Sequence, residues 1–224
     1  MKFSNGGTGG QLKMDKWKGI IFDLDGVICF TDVYHYQAWK KMADDEGIEF
    51  NETINERLRG VSRAESLEII LEKASGVYTP EEKSALMEKK NNLYRELLSQ
   101  MSPEDLSPEV LRTLQTLRER GYRLAIGSSS KNAKFILKQI GLEDFFDAVS
   151  DGTNIQRSKP DPQVFLMAAQ MLKLDPSECL VVEDAEAGID AAEAGHFHCA
   201  GIGSARDYHK TQYPLNHFSD LLLI

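Results

Sequence analysis

Short apolar strands alternate with helices over the second half of the chain, and this alternation constrains the fold more than any other feature. Between residues 107 and 202, predicted strands and helices follow one another after short turns. Strands joined through helices form right-handed crossovers and a parallel sheet that is covered on both faces. The predicted strands are residues 19–22, 122–126, 147–149, 179–182 and 198–202. We therefore expect an α/β protein with a Rossmann-like parallel sheet.

A long helical segment separates the first predicted strand from the others. Residues 33–98 show helical patterning, and two capping boxes, which begin at Ser62 and Thr79, mark helix starts within it. Because this segment follows the first strand, we expect an inserted cap over the carboxyl edge of the sheet, where open α/β sheets bind ligands. The predicted domains are an α/β core of residues 17–31 and 103–224 and a helical cap of residues 32–102.

The first sixteen residues differ in composition from the rest of the chain. Four of the six residues from Asn5 to Gly10 are glycine, which favours a flexible lead over residues 1–16. Met14 stands just before the first apolar strand, so the residues before it fit a tag remnant or a misassigned start. We leave this segment out of the fold prediction.

Charge and hydropathy exclude several classes of protein. Lys and Arg number 26 against 35 Asp and Glu, a net charge of −9, so neither a general nucleic-acid binder nor a polybasic membrane surface is expected. No apolar run approaches the ~18 residues of a membrane span, and no signal segment is evident. Three cysteines without metal-binding spacing indicate reduced thiols in a cytoplasmic protein, and a monomer is the default expectation.

Four polar clusters follow predicted strands and should meet at one edge of the sheet. They are Asp23 with Asp25, residues 127–132, Lys159, and Glu183 with Asp184. Carboxylates this close raise each other's pKa unless a cation lies between them, and Mg²⁺ prefers such oxygen ligands. A serine run at a helix start and a lysine fixed beside prolines suit a phosphoryl group. Each cluster alone has an ordinary alternative: a helix cap, a turn carboxylate or a solvated lysine.

The ordered set of clusters resembles the haloacid dehalogenase superfamily of Mg²⁺-dependent phosphotransferases. Over residues 18–203 the chain is similar to the β-phosphoglucomutase family of that superfamily. The motifs that carry this similarity are residues 22–28, 34–39, 59–63, 130–132, 158–160 and 183–189. The Gly-Val-Ser-Arg sequence within them is more specific than the Asp-x-Asp pair. The resemblance implies a haloacid dehalogenase-like core with an inserted helical cap domain.

The resemblance also implies roles for the residues at the sheet edge. Asp23 would be the nucleophile that forms an aspartyl phosphate, and Asp25 would be the general acid and base. Ser128 and Lys159 would hold the phosphoryl group that is transferred. The implied Mg²⁺ ligands are Asp23, the backbone carbonyl of Asp25, Glu183 and Asp184.

A sugar-phosphate site shared by core and cap is implied in the same way. Arg63 would bind the distal phosphate through bidentate hydrogen bonds. His35, Trp39 and Lys90 would link cap closure to the positions of Asp25 and the ligand. Plain helix packing for Trp39 and a satisfied polar histidine for His35 are the open alternatives. The other expected substrate contacts are Arg59, Gly60, Val61, Ser62, Ser130, Lys131 and Asn132.

Three positions depart from the family pattern. Phe30 stands where an acid is common, Arg59 where lysine is frequent, and Ser129 where alanine is frequent. Phe30 is expected to alter hydrogen bonding at the hinge between core and cap, which residues 29–31 form, whereas Arg59 keeps the positive charge. None of the three is a proposed nucleophile, acid, base or metal ligand.

The activity that the resemblance implies is interconversion of β-D-glucose 1-phosphate and glucose 6-phosphate through an aspartyl phosphate and a bisphosphate. A cap that closes around the sugar phosphate would keep water from the aspartyl phosphate. Two alternatives stay open: a Mg²⁺-dependent sugar-phosphate phosphatase of the same superfamily, and a non-catalytic phosphosugar-binding protein suggested by the altered hinge. The expected partner is a small sugar phosphate, with no nucleic acid and no membrane.

Overall fold

A six-stranded parallel sheet forms the centre of the molecule. The computed structural model describes residues 17–58 and 61–224, so the predicted lead at residues 1–16 lies outside the described residues. Neighbouring strands are all parallel, in the order β3-β2-β1-β4-β5-β6. The strands are β1 Gly19–Phe22, β2 Arg123–Gly127, β3 Ala148–Ser150, β4 Cys179–Glu183, β5 His198–Gly201 and β6 Tyr213–Pro214. The prediction of an α/β parallel sheet is confirmed.

Helices connect the strands as the alternation predicts. Four helices lie between β1 and α5, which leads into β2, and single helices follow β2, β3 and β4. The helices are α1 Asp32–Asp45, α2 Glu52–Glu56, α3 Arg63–Leu71, α4 Pro80–Leu98, α5 Pro108–Glu119, α6 Ala133–Gln139, α7 Gln163–Leu172 and α8 Glu186–Ala194. The single-helix connections produce the crossovers that keep all the strands parallel.

Two details differ from the sequence prediction. The edge strand β6 is not predicted, because it consists of two residues, one of them a proline, and shows no apolar run. From the sequence alone, a helix is expected to begin at Lys131. The helix begins at Ala133, because Lys131 and Asn132 form a turn ahead of it. β6 exists through its pairing with β5, whereas hydrogen bonds within residues 128–132 hold the backbone ahead of α6.

The sheet has a hydrophobic core on each face. Side chains alternate along β1, so Ile20 and Phe22 pack on the face that carries α5 and α6, whereas Ile21 packs with Phe165 of α7 on the other. A strand buried on both faces needs a continuous apolar sequence, and residues 19–22 supply it. This places the carboxyl end of β1 at the middle of the molecule.

The inserted helices have an apolar core of their own. Trp39, Met42, Ile70 and Leu86 are among its buried members, and burial of each such side chain is worth roughly 1.5–3 kcal/mol. At the base of the cap, Tyr94 packs with the core cluster instead. This separate cluster supports our proposal that residues 32–102 form the cap domain and that residues 17–31 and 103–224 form the core. Within the described residues, no helix has the length and apolar character needed to cross a bilayer.

Candidate active site

The polar clusters meet around one cavity between the sheet edge and the cap. The cavity has a volume of about 900 Å³ and is bordered by the ends of β1, β2 and β4 and by α1, α3 and α4. Its lining includes the following predicted site residues: Asp23, Asp25, His35, Trp39, Val61, Ser62, Arg63, Lys90, Ser128, Ser130, Lys131, Asn132, Lys159, Glu183 and Asp184. Arg59 and Gly60 lie outside the described residues, so their contacts stay predictions.

Three acidic side chains are brought together by the pairing of β1 with β4. Phe22 is in register with Val182, so the residues that follow them leave the sheet side by side. Carboxylate oxygens of Asp23, Glu183 and Asp184 lie within 4.8 Å of one another. Because like charges this close repel, the cluster needs a neighbouring cation.

Lys159 supplies one positive charge to this cluster. Its Nζ lies 2.6 Å from Oδ1 of Asp23 and also donates to Oε1 of Glu183, and its side chain is 3% exposed. Burial lowers the pKa of Lys159, but the charges of Asp23 and Glu183 outweigh burial and raise it overall. The lysine is therefore a fixed cation beside Asp23 at neutral pH.

The remaining acidic groups fit a divalent cation. Burial raises the pKa of Asp184 to about 8, with further contributions from the charges of Glu183 and Asp23. Burial also raises the pKa of Glu183, against the opposing effect of Lys159. A hard divalent cation prefers carboxylate oxygens and would favour the ionised form of both groups. The donor set therefore suits such an ion, with Asp23, Glu183 and Asp184 as side-chain ligands.

Two glycines allow the backbone to approach the acidic cluster closely. A Cβ atom at Gly188 of α8 would lie 1.9 Å from Cδ of Glu183, and one at Gly26 would lie 2.2 Å from Oδ2 of Asp184. Gly26 also has a φ of +79°, a conformation that favours glycine. Neither position tolerates a side chain without displacing a proposed metal ligand.

Asp25 lies next to the acidic cluster and bonds to the hinge. Burial raises the pKa of Asp25 to about 7, and the charge of Asp23 adds to the effect. The hydroxyl of Thr31 donates to Oδ1 of Asp25, and the hydroxyl of Tyr94 on α4 donates to Thr31 at 3.0 Å. A carboxyl group with a pKa near neutrality can both give and take a proton in one reaction cycle.

The segment that follows β2 is held by one hydrogen bond to β3 and by two bonds within the segment. The N–H of Ser128 donates to the carbonyl of Ser150 at 3.1 Å. The hydroxyl of Ser128 accepts from the N–H of Ser130, and the hydroxyl of Ser130 accepts from the N–H of Asn132, each at 3.2 Å. These bonds place the serine side chains and Lys131 along one wall of the cavity.

The cap contributes a cation from the start of α3. Ser62 and Glu65 form the predicted capping box, with reciprocal bonds of 3.3 Å and 3.0 Å. This capping box fixes Arg63 as the first residue of the helix, and Arg63 lines the cavity. Burial lowers the pKa of Arg63, but the guanidinium remains charged at any physiological pH. Cap and core therefore present cations to the same space.

A buried group connects α4 to the hinge helix α1. The Nζ of Lys90 lies 2.8 Å from Nδ1 of His35, 4.8 Å from the ring centroid of Trp39 and 4.4 Å from that of Tyr94. Burial lowers the pKa of His35, and the charges of Lys90 and Arg63 lower it further. Burial also lowers the pKa of Lys90, and the charge of Arg63 lowers it further. The contact between Lys90 and His35 is compatible both with a satisfied polar histidine and with the predicted positioning role.

Sequence analysis misses several residues that shape the site. Tyr94 bonds to Thr31 and Asn91 bonds to Asn132 across the boundary between cap and core, and no local pattern indicates those partners. Gly26 and Gly188 stand inside motifs that the resemblance covers, so their presence was a usable signal. Phe30 is 70% exposed, and Thr31 keeps its bond to Asp25.

Comparison with known proteins gives the family to which the chain belongs. Residues 17–196 match the family model of haloacid dehalogenase-like hydrolases. The chain is 43% identical to a β-phosphoglucomutase of Bacillus subtilis over 92% of both chains, and 31% identical to a fructose-1-phosphate phosphatase of Escherichia coli over 80% of this chain and 93% of that protein. It also matches the crystal structure of a β-phosphoglucomutase from Clostridium difficile, with a TM-score of 0.85 and 37% identity over 92% of this chain and 93% of the other. The chain belongs to the haloacid dehalogenase-like hydrolases and, within them, to the β-phosphoglucomutase family.

Proposed function

We propose that this enzyme interconverts β-D-glucose 1-phosphate and glucose 6-phosphate through an aspartyl phosphate on Asp23 and a sugar bisphosphate. One observation supports the proposal above all others. The cavity is lined by a cation from the core, Lys159 beside Asp23, and by a cation from the cap, Arg63, so we expect it to hold a sugar that carries two phosphates. The names of the similar β-phosphoglucomutases point to the same reaction.

Phosphoryl transfer uses Asp23 as the nucleophile. A sugar hydroxyl attacks the phosphorus of aspartyl phosphate, the bond from phosphorus to the Asp23 oxygen breaks, and Asp25 takes the hydroxyl proton. The bisphosphate then presents its other phosphate to Asp23. The carboxylate attacks that phosphorus, the bond to the sugar oxygen breaks, and Asp25 returns the proton to that oxygen.

We propose Mg²⁺ as the cation of the acidic cluster. Asp23, Glu183, Asp184 and the backbone carbonyl of Asp25 would hold it. The ion would neutralise charge on the transferring phosphoryl group, in the manner of other metal-dependent phosphoryl transfers. Lys159 and Ser128 would bind the transferring phosphoryl group as well.

The cap makes a sugar hydroxyl, rather than water, the acceptor of the phosphoryl group. The distal phosphate would be bound by Arg63, Ser130, Lys131 and Asn132. The free energy of this binding would drive closure of the cap. Val61 and Ser62 would close over the sugar. Arg59 and Gly60 complete the predicted loop. A closed cap excludes bulk water, so the aspartyl phosphate would last long enough to meet a sugar hydroxyl.

A sugar-phosphate phosphatase is the second candidate, because one curated relative is a fructose-1-phosphate phosphatase. It would use the same Asp23 and Asp25 but let water attack the aspartyl phosphate. The non-catalytic alternative is wrong, since the chain belongs to a family of enzymes. All three cysteines are buried free thiols, which supports a cytoplasmic location; a monomer that binds neither nucleic acid nor membrane is also our proposal.

A coupled assay separates the two candidates. The enzyme is given β-D-glucose 1-phosphate, Mg²⁺ and a trace of glucose 1,6-bisphosphate, and both glucose 6-phosphate and inorganic phosphate are followed with time. The mutase proposal predicts that glucose 6-phosphate forms much faster than inorganic phosphate. Faster release of inorganic phosphate would contradict it and favour the phosphatase.

A further inference from the structure

A hydrogen bond between two side-chain amides joins the cap to the core beside the proposed phosphate site. The Nδ2 of Asn132, which directly precedes α6, donates to Oδ1 of Asn91 on α4 at 2.9 Å. Both residues line the cavity, and Asn132 is 6% exposed. The bond therefore connects cap and core where the distal phosphate would lie.

Asn132 does not use its side chain to cap the helix that follows it. Asparagine at such a position commonly accepts a hydrogen bond from the backbone of the first helical turn. Among residues 61–224, the side chain of Asn132 makes no capping bond of this kind. Its carboxamide is therefore free to serve Asn91 and the cavity.

The backbone of Asn132 is fixed, which leaves the carboxamide orientation to be set. The N–H of Asn132 donates to Ser130, and the N–H of Ser130 donates to Ser128, each at 3.2 Å. A carboxamide has a donor end and an acceptor end, and rotation by a half turn exchanges them. In this structure the acceptor end of Asn91 faces the donor end of Asn132, and this contact distinguishes the two ends.

We infer that Asn91 is a positioning residue that turns the nitrogen of Asn132 towards the distal phosphate of the bound sugar phosphate. The inference rests on the proposed function. Asn91 takes one N–H of Asn132, which leaves the second N–H for a phosphate oxygen. In the reversed orientation the carbonyl oxygen of Asn132 would face the phosphate and repel it.

The position of Asn91 on α4 also ties this orientation to the cap. Asn91 follows Lys90, which is buried against His35 and Trp39. The same turn of α4 therefore contacts the hinge helix with one side chain and the phosphate-binding segment with the next. Asn132 is oriented for phosphate when the cap stands close to the core.

Substitution of Asn91 by leucine tests the inference, because leucine has a similar size and no acceptor. We expect Asn91→Leu to raise the Kd for glucose 6-phosphate, measured by titration calorimetry, by about tenfold, and to raise the KM of the mutase reaction more than it lowers kcat. Asn92→Leu, the same change at the exposed next residue, should alter neither constant. An unchanged Kd in Asn91→Leu would overturn the inference.

A double-mutant cycle separates positioning from a general structural role. In an Asn132→Ala background, Asn91→Leu should raise the Kd no further, because the group that it orients is gone. Additive effects of the two substitutions would overturn the inference. Calorimetry needs no turnover, so the expected Kd changes in an enzyme without mutase activity would support the inference and contradict the proposed function.

Discussion

At the scale of one residue, Asp25 shows how the surroundings of a carboxyl group set its pKa for the acid and base role that we propose. Burial and the charge of Asp23 raise its pKa to about 7, against the opposing effect of the Thr31 hydroxyl. A carboxyl group in solution would be almost fully ionised at neutral pH and would be a poor proton donor. The position of Asp25 beside the proposed nucleophile Asp23 thus suits its proposed role in catalysis, but it lowers the stability of the folded state at neutral pH.

The cost of Asp25 gives a prediction about stability and pH. Its pKa is about 7 in the folded chain against a reference value of 3.8, so the folded state holds the proton more tightly. The contribution of Asp25 to stability therefore falls as pH rises from about 4 to about 7 and stays low above that. Asp25→Asn removes the ionisation, so at about pH 8 we expect a variant that is more stable by about 1 kcal/mol or more, which is roughly 2–4 °C or more in Tm.

Scanning calorimetry in buffer with a chelator measures this difference. At about pH 4 the Tm of Asp25→Asn should approach that of the parent, because both side chains are then uncharged. Asp144→Asn, at an exposed position, is the matched control and should leave Tm unchanged at both pH values. A lower Tm for Asp25→Asn at about pH 8 would show that burial of this carboxyl does not carry the cost described.

At the scale of one element, α8 helps to set the geometry of the acidic cluster, because its first turn carries a glycine, Gly188, next to Glu183. Gly188 brings the first turn of α8 against Glu183 at the end of β4, where a Cβ would lie 1.9 Å from Cδ. Strand and helix therefore pack as closely as the backbone permits. The carboxyl group of Glu183 is held between this turn and Lys159.

Gly188→Ala is predicted to weaken metal binding. The added methyl group would push Glu183 from its position, and displaced ligands or their supports commonly cost about 10–100-fold in metal affinity. We expect the rise of Tm produced by Mg²⁺ to shrink accordingly, as binding to the folded state stabilises it. Gly76→Ala, where a Cβ meets nothing within 4 Å, is the control. Equal Mg²⁺ affinity in the Gly188 variant and the parent would contradict the close packing.

Local sequence signals predict most helices and strands, but they do not predict contacts between segments that are distant in the chain. The capping boxes at Ser62 and Thr79 are confirmed, because every bond in a capping box joins residues three positions apart. The sheet edge that gathers the acidic residues is confirmed too, since parallel strands place their ends together. The pairing of Asn91 with Asn132 and the short strand β6 depend on tertiary packing and leave no local pattern.

At the scale of the whole molecule, the cap and the core each provide half of the proposed substrate site. The core holds Asp23 and Lys159 at the sheet edge, and the cap holds Arg63 at the start of α3. The distal phosphate would be bound from both sides, by Arg63 of the cap and by Ser130, Lys131 and Asn132 of the core. We therefore propose that the cap inserted after β1 makes the enzyme a mutase rather than a hydrolase.

Removal of Arg63, the cation of the cap, should affect the mutase reaction more than hydrolysis of the aspartyl phosphate. We expect Arg63→Ala to lower kcat/KM of the mutase by about 10–100-fold, which is the worth of hydrogen bonds to a charged group, while release of inorganic phosphate falls less. Arg57→Ala, which removes an exposed arginine paired with Glu72 in the same cap, is the matched control and should have little effect. Equal losses of mutase and hydrolase activity in Arg63→Ala would contradict the closure argument.

Transfer of a labelled phosphoryl group through Asp23 is the most direct test of the account. The enzyme would be phosphorylated with labelled glucose 1,6-bisphosphate, quenched, and mapped by mass spectrometry, and a second sample would be chased with unlabelled β-D-glucose 1-phosphate. We predict that the label lies on Asp23, is absent from Asp23→Asn, and moves into sugar phosphate during the chase. Label on another residue, or label that leaves Asp23 as inorganic phosphate alone, would contradict the mutase mechanism.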